Sequence, residues 1–259
     1  MLGFASRRGL PGVRIVFLSV NDEFAGEMQR LTYEQYPQWV VGSVIARRQI
    51  SLKAGTRALL HSGLFYMARM AQMKIVRKVF GRGRMVLPSR LADRHGVPIM
   101  SCTNINDSES IATLQSWRPD LVISTNFSQY IGRKVRGVAR IGTWNLHKSY
   151  LPHGRGIAPS FYALLEGAPF TGATLHVVDA GFDTGDVLTQ ERVEIAADDT
   201  VYSLNVKTSV AGGAMLMRYL GRGNDQYVAV PQPPGDWRNH TYPSRDEIRS
   251  FRKKGMRFF

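Results

Sequence analysis

Short β-rich runs alternate with segments carrying apolar residues at helical spacing along most of this chain. That alternation restricts it to a small group of α/β architectures. The first run, Val13-Arg-Ile-Val-Phe-Leu-Ser19, follows Pro11-Gly12 and reads as a buried strand. Residues 23–35 have helical character and stop near Pro37, where a ring and a missing N–H end a helix. Residues 39–46 form a second apolar run, and strand, helix, strand at this spacing predicts a parallel unit. The rhythm then repeats. A helix is expected over 57–80, where Leu60, Leu64, Met67, Ala71, Ile75 and Val79 recur at near-helical intervals until Gly81-Arg-Gly83. A helix over 91–95 leads to a strand over 96–100, and a helix over 108–116 leads to a strand over 121–124.

From Gly142 the texture changes. Residues 144–147 read as a strand end, 151–156 as a loop, 157–166 as a helix and 173–178 as a strand. The Asp179-to-Asp186 loop follows, then a strand over 187–193 and a helix over 201–220. Residues 12–220 therefore make one α/β domain with a mostly parallel sheet and helices on both faces. Residues 221–259, with Pro231, Pro233, Pro234 and Pro243, make a short extension. Ser244-Arg-Asp-Glu247 has the form of a capping box and predicts a terminal helix over 245–254.

Composition narrows the setting. A chain of 259 residues, 44% hydrophobic and 21% charged, has enough apolar material for a sizeable core. The single cysteine, Cys102, permits no intrachain disulfide and points to the cytoplasm. The start of the chain carries Arg7 and Arg8 but no long apolar run after them, so no secretory signal is expected. The most apolar stretch, 59–76, is broken by His61, Arg69 and Lys74, whereas a membrane span needs roughly 20 mostly apolar residues.

The net charge is +14 and unevenly placed. No acidic residue lies between Glu34 and Asp93, and that gap holds Arg47, Arg48, Lys53, Arg57, Arg69, Lys74, Arg77, Lys78, Arg82, Arg84 and Arg90. A field of this kind suits anionic partners. Over 47–90 it reads as a solvated face, a phosphate- or nucleotide-binding surface, or a contact for an anionic membrane surface. The turn after the first strand, Val20-Asn-Asp-Glu-Phe-Ala-Gly26, lacks Gly-x-Gly-x-x-Gly and carries acids. That argues against a pyrophosphate on the following helix N-terminus and against ordinary dinucleotide binding.

Three polar residues stand out. Asn145 and His147 are two apart at the end of an apolar run, so in an extended segment they share a face. Asp183 lies in a second Gly-rich loop, Asp179-Ala-Gly-Phe-Asp-Thr-Gly-Asp186. An amide can donate to a developing oxyanion, an imidazole can donate or shuttle a proton, and a carboxylate can support the charged imidazole. Each also has a plain structural reading, as cap, packed ring and turn former respectively. His61, His95, His153, His176 and His240 show no ligand spacing and read as structural or peripheral, and no metal site is expected.

The stretch Asn145-Leu-His-Lys-Ser-Tyr-Leu-Pro-His-Gly-Arg-Gly-Ile-Ala-Pro159 resembles the signature of the folate-dependent formyltransferases, with N-x-H, S-x-L-P and R-G-x-A-P in order. Ala163-Leu-Leu-Glu-Gly167, Thr171-Gly-Ala-Thr-Leu-His176 and Asp183-Thr-Gly-Asp186 continue it. The resemblance implies a Rossmann-like catalytic domain that moves a formyl group from 10-formyltetrahydrofolate to an amine without a metal. It implies that Asn145, His147 and Asp183 are catalytic. The pterin pocket falls on Gln129, Tyr130, Ile131, Ile157, Asp179, Ala180, Gly181, Phe182 and Asp183. Tyr150 and His153-Gly154 depart from many relatives, which bears on acceptor contacts. Only 39 residues follow Leu220, fewer than the C-terminal domain of the tRNA-modifying branch needs, so the expected acceptor is a nucleotide-linked amino sugar of the kind used for surface polysaccharides. Methionyl-tRNA, another small amine, water as in related hydrolases, and a non-catalytic binding module remain alternatives. Association into a homodimer is left open by the sequence.

Overall fold

The computed structural model describes residues 12–47, 60–69, 71–72, 86–221 and 227–259. Strand β1 (Ile15–Ser19) is buried at all five positions, as a strand covered on both faces must be. Asp22 caps the next helix, α1 (Glu23–Gln35), by accepting from the Ala25 N–H at 2.9 Å. A 3₁₀ turn over Pro37–Trp39 then delivers the chain to β2 (Val40–Ala46), which pairs with β1 in parallel.

Residues 60–69 are helical (α2), inside the helix expected over 57–80. The buried face is not the apolar stripe that sequence spacing picks out. Ser62 and Tyr66 are buried, whereas Leu60 and Leu64 are 66% and 75% exposed. Of the acid-free stretch, Arg48, Lys53, Arg57, Lys74, Arg77, Lys78, Arg82 and Arg84 lie outside the described residues.

Helix α3 (Pro88–Arg94) ends in a left-handed Gly96, with Val97 N–H reaching the Ala92 carbonyl and Gly96 N–H the Asp93 carbonyl. This closing turn uses up 96–98. Strand β3 (Ile99–Cys102) therefore begins about one turn later than the expected 96–100. Helix α4 (Ser108–Ser116), capped by Asp107, leads to β4 (Leu121–Thr125). A single helical turn, α5 (Arg133–Arg136), precedes β5 (Gly142–His147). Two residues of β6 (Arg155–Gly156) come before α6 (Pro159–Glu166). The antiparallel hairpin of β7 (Phe170–Val177) and β8 (Val187–Glu194) is followed by α7 (Val201–Leu220). Then come β9 (Asn239–His240) and α8 (Arg245–Lys253), the latter with the capping box read from Ser244 and Glu247.

The sheet order is β3-β2-β1-β4-β5-β7-β8, parallel as far as β5 and antiparallel beyond it. The direction of strand addition reverses between β1 and β4. In open α/β sheets that switch point opens a crevice at the carboxyl ends of the strands. One face packs Phe17, Met28, Tyr33, Leu91 and Leu216 beneath α1, α3 and α7. The other packs Val16, Leu18, Ile105, Leu114 and Val135 beneath α4 and α5. Helices α1 and α7 come close because Gly213 is bare: a Cβ there would sit 2.9 Å from the Glu27 carbonyl oxygen.

A third cluster ties the end of the chain to the domain. Phe161, Tyr162, Leu204, Ile248, Phe251 and Phe258 pack together, with Phe161 and Phe251 stacked at 4.5 Å between centroids. The carbonyls of Arg257 and Phe258 accept from Val201 and Tyr202 N–H, two of the free amides that open α7. Strand β9 pairs with β6, next to the loop that bears the sequence signature.

Candidate active site

Register places the polar residues. Asn145 lies beside Ser124 of β4 on one side and opposite His176 of β7 on the other, and His147 lies opposite Thr174. The end of β5 therefore presents Asn145 and His147 to the crevice, as their i, i+2 spacing requires. The carboxylate of Asp183 closes the group. Its Oδ1 accepts from Asn145 Nδ2 at 3.2 Å, and its Oδ2 accepts from the Gly156 N–H at 2.8 Å. His147 Nδ1 stands 3.6 Å from Oδ2, and His176 Nε2 stands 3.5 Å from Oδ1. His147 Nε2 lies 2.9 Å from the Gly154 carbonyl oxygen, to which it can only donate.

His176 belongs to this cluster, contrary to its expected peripheral place. Its Nδ1 faces the Val177 carbonyl oxygen at 2.9 Å, so Nε2 is free to accept from Asn145 Nδ2 at 3.1 Å. Both hydrogens of the Asn145 amide are thus engaged. A new acceptor in the cleft must displace one of these contacts. The signal was present in Thr171-Gly-Ala-Thr-Leu-His176, but it becomes chemical only through the cross-strand pairing with Asn145. The other four histidines lie elsewhere: His61 Nε2 against the Tyr242 carbonyl, His95 against Tyr33, His153 against Trp237, and His240 stacked on Tyr162.

The loop carrying Asp183 is held from several sides. Asp179 accepts from Gly181 N–H and from the Thr184 hydroxyl, and Asp183 adopts φ +55°, a left-handed conformation uncommon for a non-glycine residue. Gln232 donates from Nε2 to the carbonyls of Asp183 (2.9 Å) and Gly185 (2.8 Å), while its Oε1 accepts from Arg155. Sequence reasoning did not single out Gln232, and it met Arg155 only as the arginine of the R-G-x-A-P segment, without a role. Gly156 takes φ +88°, and a Cβ there would lie 2.3 Å from the His240 carbonyl oxygen, so the N–H that reaches Asp183 requires glycine.

Electrostatics follow from this enclosure. Burial pushes the Asp183 carboxyl upward, but the facing His147 leads the contacts, the Gly156 N–H among them, that hold it well below the usual carboxylate range. Asp183 is therefore ionised at neutral pH.

A cleft of about 540 Å³ runs past these groups. One side carries Gln129, Tyr130, Ile131, Ile157, Asp179, Gly181 and Phe182, all expected pocket residues. Tyr130, Ile157 and Phe182 are 47%, 43% and 64% exposed, and the two rings meet edge to face at 6.1 Å. Two expected residues differ in detail. Ala180 does not line the cleft, and its carbonyl accepts from the Tyr130 hydroxyl. The Gln129 amide turns inward, accepting from Ile105 N–H at 2.6 Å and donating to the Cys102 carbonyl.

The other side carries Asp22, Phe24, Tyr66, Asn126, Lys148, Asn205, Tyr242 and Phe258. Lys148 Nζ donates to Asn205 at 2.9 Å and lies 4.6 Å from the Phe24 ring centre. Asp22 caps α1 and accepts from Asn126, so a carboxylate already stands at that helix N-terminus. Burial pushes the Tyr66 hydroxyl up to about 12, which keeps it neutral. Tyr150 and His153 do not line the cleft and pack on Phe170 and Trp237.

Among the described residues no group of three or more His, Cys, Asp or Glu side chains is arranged to hold a metal ion, and no helix is long and apolar enough to cross a membrane. The sequence profile of the family described as formyl transferase matches residues 61–220. A methionyl-tRNA formyltransferase from Geobacillus sp. (strain WCH70) is 36% identical over 139 residues, covering 52% of this chain and 44% of that protein. The chain thus spans about half the length of the curated relatives it matches. A phosphoribosylglycinamide formyltransferase from Streptococcus pneumoniae TIGR4 superposes with a TM-score of 0.58 at 19% identity, covering 81% of this chain and 97% of that one. An N-formyltransferase from Helicobacter canadensis, solved with folinic acid and dTDP-3-aminofucose, superposes at 0.57 and 14% identity, covering 89% and 71%.

Proposed function

The chain belongs to the formyl transferase family, and on that premise we propose that it transfers a formyl group from 10-formyltetrahydrofolate to a primary amine. The observation that carries this reading is the convergence of Asn145, His147 and Asp183 in one cleft at the carboxyl edge of the sheet. We take residues 12–220 as the catalytic unit and 221–259 as an extension that completes its cleft, acting in the cytoplasm.

The side lined by Tyr130, Ile157 and Phe182 fits the donor's flat ring, because it combines exposed apolar surface with the polar loop 179–183. When bound there, the donor supplies an electrophilic formyl carbonyl. Asn145 gives up a contact to Asp183 or His176 and donates to the oxygen as negative charge develops on it. Once its Nε2 leaves the Gly154 carbonyl, His147 takes the second position beside the reacting carbon and carries the proton released by the amine to the donor nitrogen as that nitrogen's bond to the formyl carbon breaks. Asp183, already ionised, balances the charged ring rather than donating a proton itself.

For the acceptor, the favoured reading is an amino sugar linked to a nucleotide. Support comes from the cleft's volume of about 540 Å³, which is of small-molecule size, and from Tyr66, Tyr242 and Phe258 in its lining. Methionyl-tRNA is the second reading, favoured by 36% identity to a relative of that name and by the net charge of +14. An acceptor screen tests both, following tetrahydrofolate release with nucleotide-linked amino sugars, glycinamide ribonucleotide, methionyl-tRNA or water. Release dependent on an amino-sugar nucleotide is expected. Release with methionyl-tRNA alone would replace the first reading with the second, and release without any amine would make the protein a hydrolase.

A further inference from the structure

A second cavity, of about 450 Å³, lies between α2 and the end of the chain and shares a wall with the catalytic cleft, since Phe258 lines both. Three guanidiniums surround it, those of Arg69, Arg252 and Arg257. Arg252 lies 4.3 Å and Arg69 5.2 Å from the centre of the same Phe65 ring. Arg69 is steadied by Gln72, and Arg257 donates to the Asp198 carbonyl at 2.9 Å. Among the described residues none of the three forms an ion pair with a carboxylate, and no acidic side chain lines the cavity. Three like charges gathered around one hollow repel one another. An anion with several oxygens relieves that repulsion by accepting from all three planar forks at once.

We infer that this arginine cavity binds the diphosphate of the acceptor. This inference rests on the amino-sugar nucleotide reading and adds the place where the phosphates sit. The Asp22 carboxylate caps the helix after β1 and repels a phosphate there, which favours another seat. The C-terminal segment supplies one. Hydrogen bonds from Val201 and Tyr202 to the Arg257 and Phe258 carbonyls fix the backbone there, and Phe258 lines both this cavity and the catalytic cleft, so an acceptor seated here passes around that ring to reach Asn145 and His147. A lipid-linked diphosphate would present the same oxygens, and the assignment is to the soluble form.

Calorimetric titration of the whole chain with inorganic pyrophosphate tests this, with 5-formyltetrahydrofolate as a probe of the catalytic cleft. Saturable binding is expected for the unaltered protein, weakened about tenfold or more by R69Q/R252Q and less by R69K/R252K, which keeps the two charges but loses their forks. Folate-analogue binding should be unchanged in both variants, which shows that they are folded. Absent pyrophosphate binding, or equal binding in all three proteins, overturns the inference. So does arginine-dependent binding to phosphatidylglycerol vesicles that pyrophosphate does not compete away. The titration requires no turnover, so it is separable from the acceptor screen. Pyrophosphate binding without sugar formylation upholds the anion site and removes the sugar-nucleotide reading.

Discussion

Asp183 meets Asn145, His147, His176 and the Gly156 N–H through two oxygens, and most of the site's behaviour follows from that crowding. Replacing Asn145 or His147 by alanine is expected to lower kcat/KM by roughly 10²–10⁴-fold with little loss of stability. A variant keeping more than about a tenth of the rate would remove that residue from the chemistry. Asp183→Asn keeps the shape and loses the charge. The folded carboxyl is held below its ordinary value, so its contribution to stability is complete above the unfolded value of about 3.9 and is lost as pH falls towards the folded one. The gap in urea midpoint between wild type and Asp183→Asn should therefore narrow between pH 7 and about pH 3. A gap that stays constant would contradict the ionised carboxylate. Gln232→Ala frees the loop that carries Asp183. Because small displacements of a catalytic group are expensive, kcat should fall about 10–100-fold, and the donor KM should rise as well, since the same loop lines the donor side. An unchanged kcat would reduce Gln232 to loop decoration.

Helices α1, α4, α7 and α8 were legible because their signals are local. Asp22, Asp107, Thr200 and Ser244 cap within three residues, and apolar spacing does the rest. The N-x-H pair was legible for the same reason, since two residues on one strand share a face. What stayed hidden depends on distant partners. His176 reaches Asn145 across 31 residues of sequence, and Gln232 reaches Asp183 across 49. Neither separation leaves a mark on local pattern. The burial of α2 was misjudged because Tyr66, rather than Leu60 or Leu64, meets Phe258 at the far end of the chain. That docking makes a prediction of its own. Phe251 is fully buried against Phe161 and Phe258, so Phe251→Ala should cost about 3–5 kcal/mol in chemical denaturation. It should also raise the acceptor KM more than the donor KM, because Phe251 packs against Phe258 of the cleft rather than against the loop that Gln232 holds. Equal effects on both would place the extension outside acceptor binding.

At the scale of the whole molecule, one sheet edge gathers the loops after β1, β4 and β5, and the extension closes the open flank with Tyr242 and Phe258. The catalytic trio and the Tyr130, Ile157 and Phe182 surface lie within the residues matched by the family profile, whereas most of the arginine cavity, and Tyr242 and Phe258 of the cleft, come from residues after 227. The central claim is formyl transfer through Asn145, His147 and Asp183, and single-turnover transfer from labelled 10-formyltetrahydrofolate to an amino-sugar nucleotide tests it most directly. The unaltered protein should move the label to the amine, and N145A/H147A should bind the donor yet slow transfer by roughly 10²-fold or more. Label moving to the amine at an undiminished rate in the double variant would contradict it.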